Sequence, residues 1–266
     1  MLAGVYLAKK KDGTTYYRSN ITYHQKHISL GSFFTEEEAS QAYFDAKKIV
    51  SDTSITIENF TALSFQLSHD KIISLLNFRD NALYFKTPIY LRRNFFQYFI
   101  SEQDELKFDR DDLFYYASHK IMRRQGHLFV SDYGMQVTIL SRYGILNYGV
   151  ENKDYRFVNG DSTDFRYSNI QILNSYFGVT KISKKGNTFY NVKIHINGNY
   201  LIGTYRDEIT AAIAYNKAVD LAKAAGIQKN YSINYIPDYS SKKYAETYTN
   251  IKLSTHYLNY LASLNS

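Results

Sequence analysis

The alternation of apolar and polar residues across 190–196 sets the reading of the chain. Tyr190, Val192, Ile194 and Ile196 fall on one face, and Asn191, Lys193 and His195 on the other. A period of two is that of a strand with one buried face. Asn197-Gly198 follows, a strong hairpin signal between two such runs, and a third run ends at Gly203. Then the period changes. Asp207 is a good N-cap, Glu208 complements the helix dipole, and Ala211, Ala214, Tyr215 and Ala218 recur at three and four residues. The pattern predicts a three-stranded antiparallel sheet with one helix over its apolar face and its polar face left open.

The same grammar occurs near the other end of the chain. Gly4-Val5 matches Gly178-Val179, Gly31 matches Gly203, and Ala39, Ala42, Tyr43 and Ala46 match Ala211, Ala214, Tyr215 and Ala218. One residue of slack in each of two turns accounts for the register, and self-similarity of this kind marks a repeated structural unit. Tyr17 to Tyr23 alternates with Arg18, Asn20 and Thr22 on one face. Thr35 with Glu38 fits a capping box ahead of the first helix. The fold class expected is α+β, with two such modules flanking a middle segment.

Composition then narrows the partners. The chain has 266 residues, 44% hydrophobic, no cysteine and a net charge of +7. That excludes disulfides and thiolate metal sites, and no apolar run approaches the roughly 18 residues that span a bilayer. Met1-Leu2-Ala3-Gly4 lacks the charged start and apolar stretch of a signal peptide, so the expected location is cytoplasmic, on the nucleoid, with no membrane partner. Lys and Arg exceed Asp and Glu by 7 against 5 over residues 1–50 and by 8 against 4 over 177–240, while 86–175 is nearly balanced at 12 against 11. Positive charge favours the two modules, as a polyanion-binding surface requires.

A narrow, twisted antiparallel sheet fits the major groove of B-DNA. Arg and Lys favour guanine and Asn favours adenine, so Arg18, Asn20 and Thr22, or Asn191, Lys193 and His195, carry suitable chemistry at base edges. Lys9, Lys10 and Lys11, and Lys184 and Lys185 in the equivalent turn, suit phosphates.

Gly-Val, a turn, an aromatic strand, Leu30-Gly31 or Ile202-Gly203, and a capped helix with Ala-x-x-Ala-Tyr-x-x-Ala together resemble the AP2 domain of plant transcription factors and of phage and mobile-element endonucleases. Tyr231-Ser232-Ile233-Asn234-Tyr235 resembles the stretch that closes that domain. The resemblance implies DNA binding through the sheet. It points to Tyr6, Lys10, Arg18, Asn20, Thr22, His27 and Ser29 in the first copy, and to Thr180, Lys184, Asn191, Lys193, His195 and Asn199 in the second. Most of the plant factors' arginines and tryptophans are missing here, so a different target sequence is expected.

Residues 155–176 resemble the centre of an HNH nuclease, through Asn159-Gly160-Asp161, Asp164-Phe165-Arg166 and Asn169-Ile170. That family has a ββα-metal site in which a His acts as general base on water. Phe157 stands where the His is expected, and phenylalanine neither accepts a proton nor ligates a metal. No catalytic residue, metal or cofactor is therefore assigned, and the chain is read as a non-enzyme. Asp161, Asp164 and Asn169 are expected to brace a loop, and Asp109, Asp111 and Asp112 to cap a helix.

The expected organisation is a first module over 1–58, a linking helix within 59–85, a degenerate HNH-like middle over 86–176, a second module over 177–240 and a helical tail over 241–266. In the tail, Tyr244, Tyr248, Ile251, Tyr257, Leu258 and Leu261 recur at helical spacing. A helix packed on the body is one reading of it and a homodimer contact the sharper one. A protein or peptide effector is compatible with the chain. The function expected is sequence-specific binding of double-stranded DNA by a transcriptional regulator derived from a homing-type endonuclease. The alternative is an active HNH endonuclease.

Overall fold

A computed structural model describes residues 1–237 and 239–264. The chain forms two compact units. The first comprises Met1–Ile139 and the returning segment Asp161–Asn169, and the second comprises Leu140–Gly160 and Ile170–Ser266. The fold is α+β, built on small antiparallel sheets.

The first unit opens with strands β1 (Val5–Lys9), β2 (Thr15–Tyr23) and β3 (Lys26–Phe33), paired in that order. Helix α1 (Glu36–Ser51) follows. The capping box forms as expected: Thr35 accepts from the Glu38 N–H and Glu38 reaches back to the Thr35 N–H, satisfying two donors that the first turn leaves open. Ala39, Ala42, Ala46 and Ile49 are wholly buried. Their small side chains let the helix lie close on Ile21, Ile28 and Leu30 of the sheet.

Residues 59–85 hold α2 (His69–Asn81), whose Ile73, Leu75 and Leu76 are fully buried in the same core. Arg79 fastens it to α1 by donating to the carbonyls of Ile49, Asp52 and Ile55, each at 2.8 Å. Two further three-stranded sheets complete the unit: β4 (Ile89–Leu91), β5 (Phe95–Ser101) and β6 (Asp104–Asp109), then, after α3 (Leu113–Ser118), β7 (Met122–Arg124), β8 (His127–Asp132) and β9 (Met135–Thr138). The returning segment lies along β6, with the Lys107 N–H donating to Thr163 O and the Phe165 N–H to Lys107 O.

In the second unit β10 (Tyr155–Phe157) pairs with β11 (Ile170–Ile172). The second module follows: β12 (Val179–Lys184), β13 (Asn187–His195), β14 (Asn199–Tyr205) and α4 (Glu208–Ala224), capped by the Asp207 carboxylate on the Thr210 N–H. Ala211, Ala214 and Ala218 lie wholly buried against Val192, Ile194 and Ile202. The tail folds into α5 (Ser241–Asn250) and α6 (Thr255–Ser263), and Ile251, Tyr257 and Leu261 join this core. Among the described residues no helix is long and apolar enough to cross a membrane.

The two modules superpose in their pairing. Val5 lies opposite Ser19 and Val179 opposite Val192; each third strand then carries a bulge at the same place, where Leu30-Gly31 opposes Ser19 and Ile202-Gly203 opposes Val192. Gly4 and Gly178 both have positive φ, +73° and +70°, and a Cβ at either would meet the ring of Tyr43 or Tyr215 at 2.2 or 2.1 Å. Each glycine carbonyl accepts from the second strand, Gly4 from the Asn20 N–H and Gly178 from the Lys193 N–H. These glycines are required by close approach as much as by dihedral.

Candidate nucleic-acid interface

With one face of each sheet under its helix, the other carries the residues singled out above. Register puts Tyr6 beside Arg18 and Ser32, Asn20 beside Ser29, and Thr22 beside His27. In the second module Thr180, Asn191 and Thr204 form one row, Lys193 and Leu201 the next, and His195 and Asn199 the last. Lys10 lies in the turn after β1, and Lys184 closes β12. Of the thirteen positions, Asn20, Thr180 and Asn191 are half-buried and the other ten exposed.

Two positions escape strict alternation. The bulges add a residue to β3 and β14, so Ser32 and Thr204 face outward where an unbroken period of two puts Gly31 and Gly203. Tyr16 also belongs to the first face: its hydroxyl accepts from Arg18 at 2.8 Å and its ring lies 5.4 Å from the guanidinium. Cross-strand bonds tie other side chains: Thr22 with His27 at 3.4 Å, His195 with Asn199 at 3.1 Å, and Thr204 to Asn191 at 2.7 Å. Ordered polar side chains lose less entropy when a ligand fixes them.

None of the six strands contains Asp or Glu. The contrast with β6 is direct, since that strand alone carries Asp104, Glu105 and Asp109. Both outer faces are therefore uniformly neutral or cationic along their strands, an arrangement suited to an anionic polymer.

The middle segment departs from a ββα unit. The strand pair is present, but after Ile172 the next element is the strand β12, with no helix between. The polar residues brace the loop. Asp161 accepts the Thr163 hydroxyl at 2.6 Å and its N–H at 2.9 Å, and Lys107 lies 3.3 Å away; these bonds hold the Asp161 carboxyl below the usual range. Asp164, buried, takes two bonds from the Arg166 guanidinium, at 2.8 and 2.5 Å. Those bonds push the guanidinium pKa still higher. The Asn169 amide donates to the carbonyls of Asp161 and Asp164.

Helix capping by the aspartates is not what the structure shows. Asp109 and Asp112 sit at N-cap positions without a side-chain cap, because their carboxylates serve the returning segment instead: Asp109 accepts the Tyr167 N–H at 2.6 Å and Asp112 the Tyr167 hydroxyl at 3.4 Å. Among the described residues no group of three or more His, Asp or Glu side chains is placed to hold a metal ion. Comparison with family models, curated proteins and solved structures returns no match of any of the three kinds.

Proposed function

We propose that the protein binds specific sequences of double-stranded DNA, each repeated sheet laying its outer face in a major groove, and that it acts as a transcriptional regulator. One observation carries the reading. The two modules share key interior positions but differ on the outer face. Gly4 and Gly178, Val5 and Val179, Ile21 and Ile194, Tyr43 and Tyr215 are matched inside. On the face, Arg18 corresponds to Asn191, Asn20 to Lys193, Thr22 to His195 and His27 to Asn199. A constant scaffold with an exchanged face is what two readers of two different sequences require, because base edges are distinguished by side-chain donors and acceptors. The carboxylate-free strands and the AP2 likeness support the same partner.

One module in each compact unit gives the chain two binding elements, and the second engages at an effective concentration set by the first. The middle segment is read as a nuclease-derived scaffold that does not cut. Phe157 at the base position and the engagement of Asp164 with Arg166 support that reading. Selection from a random duplex library with the full chain tests the proposal. Enrichment of a site with two distinct half-motifs is expected; recovery of no sequence preference would overturn it.

A further inference from the structure

The two outer faces are not equally open. In the first unit a concavity of about 470 Å³ runs along Gly4, Tyr6, Asn20, Thr22, His27 and Tyr43. The equivalent positions of the second unit, Gly178, Thr180, Lys193, His195, Asn199 and Tyr215, line a larger one of about 700 Å³. The larger cleft has a wall: residues 146–149 with Lys153 and Asp154 line it together with the sheet residues. This wall lies outside the repeated module.

The wall is built in place. The buried Asn174 amide donates to Lys153 O at 2.7 Å and to Asp154 Oδ1 at 3.3 Å, while its oxygen accepts the Lys181 N–H of β12 at 2.8 Å. Asp154 Oδ2 accepts the Val150 N–H at 2.9 Å, and Asp154 O accepts the Leu173 N–H at 2.8 Å. One buried side chain thus fixes the wall to the strand whose Thr180 belongs to the candidate face. Asp154, whose carboxylate oxygens these bonds engage, borders the cleft as an anion, and Lys153 and Lys193 line it as cations. At the crest stands Tyr148, 98% exposed, with φ of +65° in a turn closed by the Gly149 N–H on Leu146 O. A non-glycine residue in that region carries a backbone cost, and here no burial offsets it.

The geometry points to the 146–154 wall as a second jaw of the DNA interface: Lys153 and Tyr148 contact the phosphodiester backbone of the duplex whose bases face Asn191, Lys193 and His195. The inference rests on the reading of the second sheet as a DNA-binding face. It gives that module phosphate contacts that the first module lacks. Sheet insertion into a major groove leaves a phosphate backbone on either side, and Lys153 on a fixed wall, with the Tyr148 hydroxyl, suits one of them.

The test uses the full chain and the duplex enriched by selection, with Lys153→Ala, Tyr148→Ala, Lys193→Ala and Lys242→Ala compared by fluorescence anisotropy over a salt series. Lys242 is exposed on α5, outside the cleft, and controls for net charge. Lys153→Ala is expected to weaken binding by roughly three- to tenfold on every sequence and to lower the salt slope by about 1. Tyr148→Ala is expected to weaken it severalfold, while Lys242→Ala leaves it within twofold. Wild-type affinity in both Lys153→Ala and Tyr148→Ala, with Lys193→Ala weakened, overturns the jaw and leaves the sheet reading standing. Tighter binding in either wall variant also overturns it, since the wall would then obstruct the face. Failure of the wild-type chain to bind any duplex overturns both.

Discussion

Replacing Gly178 by Ala tests the repeated architecture at its tightest point. Gly178 has φ of +70°, and a Cβ there lies 2.1 and 2.3 Å from ring carbons of Tyr215 and 2.6 Å from the Lys193 carbonyl. The left-handed backbone alone costs a non-glycine residue about 1–2 kcal/mol. Relieving the overlap adds roughly 1–3 kcal/mol, because Lys193 O is backbone and Tyr215 is itself buried. Loss of chain entropy in the unfolded state returns about 0.4–1 kcal/mol. The net loss is then about 1–5 kcal/mol. Gly186 supplies the control: its φ is +77° and a Cβ there meets nothing within 4 Å, so Gly186→Ala should cost only the dihedral, about 1 kcal/mol. Because a chain of two units need not unfold as one, hydrogen exchange of the β13 and α4 amides reads the loss where it occurs. Faster exchange is expected in Gly178→Ala than in Gly186→Ala. Equal exchange in the two variants would refute the claim that close approach, in addition to φ, selects glycine at this position.

Other outcomes follow from the same structure. Ser19 is wholly buried with no hydrogen-bond partner for its hydroxyl among the described residues, and its counterpart in the second module is Val192. Ser19→Val should therefore stabilise the first unit by about 0.5–2 kcal/mol, read by hydrogen exchange of β2; slower exchange supports the correspondence of the modules and faster exchange contradicts it. The Asp70 carboxyl is held below its usual pKa by His69, whose ring nitrogen lies 3.9 Å away, with Lys120 at 2.6 Å adding to it. A depressed carboxylate contributes stability above its unfolded pKa of roughly 3.9 and loses it as pH falls through the lower folded value. Asp70→Asn should thus destabilise at pH 7, with the difference from wild type vanishing on acidification below that range; a pH-independent difference would contradict the assignment. Plasmid DNA incubated with Mg²⁺ or Mn²⁺ is expected to stay uncut, and nicking that Asp164→Asn abolishes would reinstate the nuclease reading.

Much of the two modules was legible in the sequence because their signals are local. Alternation over 190–196, the Thr35 and Asp207 caps and the alanine stripes each depend on a few neighbouring residues, and the structure shows the strands and helices they specify. The bulges were not legible, since nothing in Leu30-Gly31 or Ile202-Gly203 by itself marks an extra residue; Ser32 and Thr204 were missed on that account. The sheet of β4, β5 and β6 gave no alternation, because Phe96, Gln97, Tyr98 and Phe99 of β5 are buried on both faces. The hairpin turn at His24-Gln25 lacks the glycine or asparagine that usually announces two left-handed residues, though φ is 44° and 62° there. Asn197-Gly198 does join β13 to β14, but by a three-residue loop without positive φ at either residue. The aspartates 109 and 112 were misread because their partner, Tyr167, lies more than fifty residues away along the chain.

On the proposed function, the two faces read two different sequences of one DNA site. On the duplex enriched by selection, binding of Arg18→Ala and Lys193→Ala is measured against a set of single-base-pair changes across both half-motifs. Arg18→Ala is expected to relax discrimination in one half only and Lys193→Ala in the other, each by roughly 1–3 kcal/mol at the affected position. A uniform loss across all positions from both substitutions, or relaxation of the same half by both, would contradict it.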